Sequence, residues 1–124
     1  MSRRYLSKLE VESAIRRGKQ VDAFLGGGNS GVAPTIRYLT LRSAGSKVVA
    51  ELWEVEDPAD PNYHDVYSLY PPHGDDAPGM IFNFGSVAEA MSQLDLQFPG
   101  IAGRFMNQGV IDDEYADYKS SGAQ

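Results

Sequence analysis

The stretch Thr35–Glu56, TIRYLTLRSAGSKVVAELWEVE, decides the fold. Two runs rich in Ile, Tyr, Thr, Val and Trp flank Ala44-Gly45-Ser46, a turn-forming insert, so the runs 35–43 and 47–56 are expected to pair as an antiparallel hairpin. In the second run Val49, Trp53 and Val55 fall on one face, and Val48, Ala50 and Leu52 on the other. Apolar groups on both faces predict a central strand with cover on each side, and Trp53 filling the core between sheet and helices.

Working outward toward the N-terminus, residues 20–25 (QVDAFL) alternate with Val21, Ala23 and Leu25 on one face, the pattern of another strand. It runs into Gly26-Gly27-Gly28-Asn29-Ser30. This stretch has the small residues of an anion loop, but no lysine and no following helix signal, which a phosphate cradle needs. Gly26, Gly28 and Gly31 match GxGxxG by letter, yet Pro34 and the β-branched run after it do not continue a βαβ unit. The stretch therefore reads as a flexible hairpin connection, with the candidate anion site at residues 26–30 as its rival. Before it, Ser7-Lys8-Leu9-Glu10 is a capping box that opens a helix, with Leu6 and Val11 as a hydrophobic staple and Gly18 as the C-terminal cap.

Toward the C-terminus, residues 57–62 (DPADPN) are turn chemistry and residues 64–70 (HDVYSLY) read as a fourth strand stopped by Pro71-Pro72. A polar loop follows, then Met80–Phe84 as a strand and a second capping box at Ser86 and Glu89 that starts a helix ending near Pro99. Ile111, Tyr115 and Tyr118, spaced i, i+4, i+7, predict a last amphipathic helix with Asp112, Asp113 and Glu114 in its favourable first turn; residues 120–124 should fray. The order predicts one α+β domain over residues 1–124: an N-terminal helix, an antiparallel meander of about five strands, and C-terminal helices packed on the sheet.

Composition narrows the chemistry. With no cysteine there is no disulfide framework, thiolate nucleophile or thiolate-rich metal site. No run approaches the roughly 18 apolar residues of a membrane helix, and the first residues lack the pattern of a signal peptide, which points to a cytoplasmic protein without a membrane role. The formal net charge of −6 hides an asymmetry: residues 1–50 carry +6 and residues 51–124 carry −12. A basic first half using Arg3, Arg4, Arg16, Arg17 and Lys19 is one route to nucleic acid. An acidic chain with no aromatics among those arginines argues against it, and favours neutralisation within the fold or across a homodimer.

Of the reactive groups, His64 and His73 are the only histidines and lie near Asp65, Asp75 and Asp76. Such a set can hold a metal ion or run acid–base chemistry, although its spacing matches no metal-binding motif and a solvated turn explains the same letters. Tyr63, Tyr67 and Tyr70 crowd one segment and, with Arg16 and Arg17, form a candidate interaction surface. These readings converge on a small non-catalytic binding or regulatory protein that needs no cofactor and acts on a protein partner or on itself as a homodimer. The alternatives are a small metal-dependent or acid–base enzyme and a nucleic-acid binder.

Overall fold

The computed structural model describes residues 4–31, 33–58, 60–72 and 77–120. Helix α1 (Lys8–Arg16) precedes strands β1 (Val21–Asn29), β2 (Pro34–Ala44) and β3 (Lys47–Glu56). After β3 come a single 3-10 turn at Val66–Ser68, strand β4 (Met80–Phe84) and helix α2 (Val87–Gln97). A second 3-10 turn at Ile101–Gly103, a short β5 (Met106–Asn107) and helix α3 (Ile111–Ser120) complete the chain. The strands form one antiparallel sheet in the order β4-β3-β2-β1-β5, so β1 to β4 are a meander and β5 returns to the outer side of β1.

The expected hairpin is present in full: β2 and β3 pair from Thr35 with Glu56 to Ala44 with Lys47, and Gly45 in the turn takes a positive φ of 63°. Because side chains alternate along these strands, each face of the sheet builds its own core. On the first face Val21, Ala23, Leu39, Leu41, Val48 and Ala50 meet α1 and α2. Those helices contribute Val11, Ala14 and Ile15 from α1 and Ala90, Met91 and Leu94 from α2. On the second face Phe24, Ile36, Tyr38 and Val55 meet Ile111 and Tyr115 of α3 and Val66 of the 3-10 turn. The central strands are thus covered on both sides, as their apolar pattern requires.

The capping box predicted at α1 forms in full, and the one at α2 forms in part, Glu89 reaching the Gly85 amide and not that of Ser86. Ser7 Oγ accepts the Glu10 amide at 3.2 Å while Glu10 Oε1 accepts the Ser7 amide at 2.8 Å. At α2, Ser86 Oγ accepts the Glu89 amide at 3.1 Å, and Glu89 reaches back to the Gly85 amide at 3.0 Å. Ser86→Ala should therefore cost about 1 kcal/mol, read as a lowered denaturation midpoint.

Three expectations are corrected. Residues 64–70 are not a strand: Val66 and Leu69 are buried and their neighbours exposed, a spacing of three that suits the 3-10 turn over the second face. Gly26, Gly27, Gly28 and Asn29 are not a loop but the outer half of β1, laddered to Arg37, Ile36, Thr35 and Pro34, with the turn left to the residues around Ser30. The ladder shifts register between Phe24 and Gly26, where Gly26 takes a φ of +102°, and a Cβ at Gly27 would overlap Tyr118 Oη. The third concerns Trp53, which is only half-buried and lies on the second face, stacked on its cross-strand partner Tyr38 at 6.3 Å between ring centroids. The fully buried bulk belongs to Tyr115, Phe105, Ile36 and Leu39 instead. Of residues 120–124, expected to fray, Ser120 closes α3 and 121–124 lie outside the described residues.

Candidate functional site

Two features of the sheet's edges stand out. At one edge, among the described residues, β4 pairs only with β3 and has no strand on its outer side. Phe84 and Phe82 turn into the first-face core, their rings stacked at 6.5 Å, whereas Met80 and Ile81 remain 51% and 58% exposed. Within β4 there is no charged residue and no proline, the devices that usually blunt a sheet edge.

At the opposite edge, β5 covers only Val21 and Asp22 of β1. Beyond Asp22 the outer side of β1 opens into a cavity of about 740 Å³, walled by Phe98 and Pro99 after α2 and by Glu114, Asp117 and Tyr118 of α3, with Leu25, Gly26 and Arg37 on the sheet side. Glu114 is buried and fully engaged: Arg4 donates at 2.6 Å, Tyr5 Oη at 2.6 Å and Arg104 at 2.9 Å. Arg4 also pairs with Asp117 at 2.9 Å, and the Arg104 guanidinium lies over the Tyr5 ring. Hydrogen bonds to Glu114 and Asp117 hold the Arg4 pKa above its ordinary value, and burial followed by the Glu114 bond raises that of Tyr5. Arg37 differs from these arginines. Its Nε is buried without a hydrogen-bond partner, and among the described residues no carboxylate forms an ion pair with it.

Two further polar clusters hold the second-face layer in place. Lys119, almost wholly buried, donates to the carbonyls of Asp60 at 2.5 Å, Tyr63 at 3.2 Å and Pro58 at 3.3 Å, and lies over the Tyr115 ring. Tyr115 in turn donates to Asp57, so α3 fastens the segment after β3. Asp22, also fully buried, accepts from Tyr67 Oη and from Gln20 Nε2 at 2.8 Å, and the Gly109 amide donates to Tyr67 Oη at 2.9 Å. Burial raises the Asp22 pKa above the ordinary carboxylate range, the bonds from Tyr67 and Gln20 only partly opposing it. The folded chain then keeps that proton at a pH where the unfolded chain has lost it, so Asp22 makes stability fall as pH rises above about 4. Asp22→Asn should remove this fall, measured as the difference in denaturation midpoint between wild type and variant from acid to neutral pH.

The structure separates most of the residues singled out from sequence. Tyr63 is half-buried against the second core, Tyr67 is 38% exposed with its hydroxyl anchored on Asp22, and Tyr70 is exposed. Arg16 and Arg17 are exposed at the end of α1, on the other side of the sheet from α3. His64 is half-buried with Nε2 donating to the Pro61 carbonyl at 2.9 Å, Asp65 is exposed, and His73, Asp75 and Asp76 lie outside the described residues, as does Arg3. Among the described residues no group of three His, Cys, Asp or Glu side chains is placed to hold a metal ion. The candidate anion stretch at 26–29 has its backbone in the β1–β2 ladder and so does not converge on a helix N-terminus, while Ser30 Oγ accepts from the Ala33 amide at 3.2 Å. Part of the charge asymmetry is neutralised within the chain, through Arg4 with Glu114 and Asp117 and Arg42 with Glu51 at 3.6 Å. Sequence reasoning missed the β1-edge cavity and the exposed apolar pair on β4, because both depend on which strand ends up outermost. No helix of the described residues is long and apolar enough to cross a membrane.

No family model matches this chain, and neither the curated proteins nor the solved structures contain a match to it. The fold and its edges define a small α+β domain with one open, uncharged strand edge and one cavity-forming edge.

Proposed function

We propose that this is a small non-catalytic binding or regulatory protein that acts by self-association, two copies joining their sheets along β4. The observation that supports it is the unpaired outer side of β4, with Met80 and Ile81 exposed beside it. An antiparallel edge is self-complementary about a two-fold axis, so one β4 pairs with another without a new surface, and the exposed apolar side chains add area to bury. Ion pairs between the exposed Arg16 and Arg17 of one copy and the acidic second half of the other add little by themselves, since an exposed pair contributes at most about 1 kcal/mol.

Light scattering behind a sizing column, at micromolar concentration and at low and high salt, tests the proposal. The wild type should have the mass of two chains at both salts, and Ile81→Lys, which sets a charge on the edge, the mass of one. A single-chain mass for the wild type under both conditions overturns self-association. Salt-dependent retention of that monomer on immobilised DNA or RNA would favour the basic surface of α1 instead.

A further inference from the structure

The cavity on the outer side of β1 lies at the edge of the sheet opposite β4 and does not depend on how β4 is used. Its volume of about 740 Å³ falls in the range of small-ligand sites, and its lining is about as polar as apolar, with aromatic and proline walls beside two arginines and two carboxylates. The local sequence shapes it. β5 begins only at Met106, opposite Asp22, which leaves the outer side of β1 open beyond Asp22, and the register shift at Phe24–Gly26 bends the strand where Leu25 and Gly26 line the cavity.

Charge identifies what fits. Glu114 is already satisfied by two arginines and a tyrosine, and Asp117 is paired with Arg4. Arg104, also on the wall, is committed to Glu114. That leaves Arg37 as the lining arginine that forms no ion pair among the described residues, its cross-strand neighbour Glu54 accepting from Thr35 Oγ1 at 2.5 Å instead, and its buried Nε has no acceptor. A buried donor without an acceptor is costly, and a planar guanidinium is best satisfied by a carboxylate in its own plane. A dianion such as phosphate would meet Glu114 and Asp117 across the same cavity, so one negative charge on an apolar body suits the site better.

We infer that this cavity binds a carboxylate carried on an apolar or aromatic group, the carboxylate on the Arg37 guanidinium and the apolar body between Phe98, Pro99 and Tyr118. That chemistry is shared by free aryl or alkyl acids and by the C-terminal end of a peptide with an apolar last residue.

Titration of isotope-labelled protein with 4-phenylbutyrate, with 4-phenylbutanol, and with an N-acetylated tripeptide ending in leucine, as free acid and as amide, separates the possibilities. The expected result is saturable shifts of the Leu25, Gly26 and Phe98 amides with at least one acid, and binding weaker by about tenfold or more for its uncharged counterpart. Binding by 4-phenylbutyrate assigns a free acid, and binding by the tripeptide acid alone assigns a chain end. Arg37→Gln should weaken the acid by a similar factor and Arg37→Lys should restore part of it. Absence of saturable shifts with either acid at millimolar concentration overturns the inference, as does equal binding of acid and uncharged counterpart to the wild type, a comparison that needs no variant.

Discussion

Tyr115→Ala is expected to destabilise the protein by about 3–5 kcal/mol, a large part of the stability of a domain this size. Tyr115 is completely buried, the largest such side chain among the described residues, and joins α3 to the second face of the sheet. Its ring packs on Phe24 at 6.3 Å between centroids and carries Lys119 4.6 Å from its own centroid, while its hydroxyl donates to Asp57. Alanine would leave a cavity, remove a donor from a nearly buried carboxylate and take away the surface on which Lys119 is stacked. Tyr115→Phe, which loses only the hydroxyl, should cost about 1–2 kcal/mol. Denaturant midpoints check both, and a loss below about 1 kcal/mol for the alanine variant would mean that α3 is not a structural layer.

Leu39→Ala, on the opposite face, should cost about 2–5 kcal/mol. Leu39 sits in the middle strand of the sheet, fully buried, between Ala23 of β1 and Leu52 of β3 and beneath the helices of the first face. With Ala23 as one neighbour and the rigid ladder around it, the site has little means of closing over the lost atoms. Leu39 and Tyr115 belong to separate clusters, so the double variant should show the sum of the single losses to within about 0.5 kcal/mol. A marked departure from additivity would show that the two cores are one.

The elements read correctly from sequence are those whose causes are local. The hairpin over Thr35–Glu56 depends on alternation and a glycine turn, and the starts of α1 and α2 depend on a serine and a glutamate three residues apart. Where distant groups intervene, the letters mislead. Val66 and Leu69 look like members of an alternating strand, but both turn into the core under α3, which only the packing of α3 decides. Gly26 to Gly28 look like slack, yet they remain in β1, and Tyr118, far along the chain, occupies the space where a side chain at Gly27 would go. Glu114 reads as an acid in a helix's first turn, which it is; its partners Arg4, Tyr5 and Arg104 come from elsewhere in the sequence, so nothing in its neighbourhood announces a buried cluster. The same holds for Arg37, one arginine among several until Arg104, the other arginine on the cavity wall, is seen to be paired with Glu114.

Amide hydrogen exchange across Met80–Phe84, followed as protein concentration is raised, tests the use of the β4 edge most directly. Amides on the inner side of β4 are held by β3 at every concentration. The outward amides should exchange quickly when the protein is dilute and become protected as it is concentrated, with Ile81→Lys abolishing the change. Exchange in β4 that is independent of concentration, in a sample whose mass stays that of one chain, would contradict self-association through this edge.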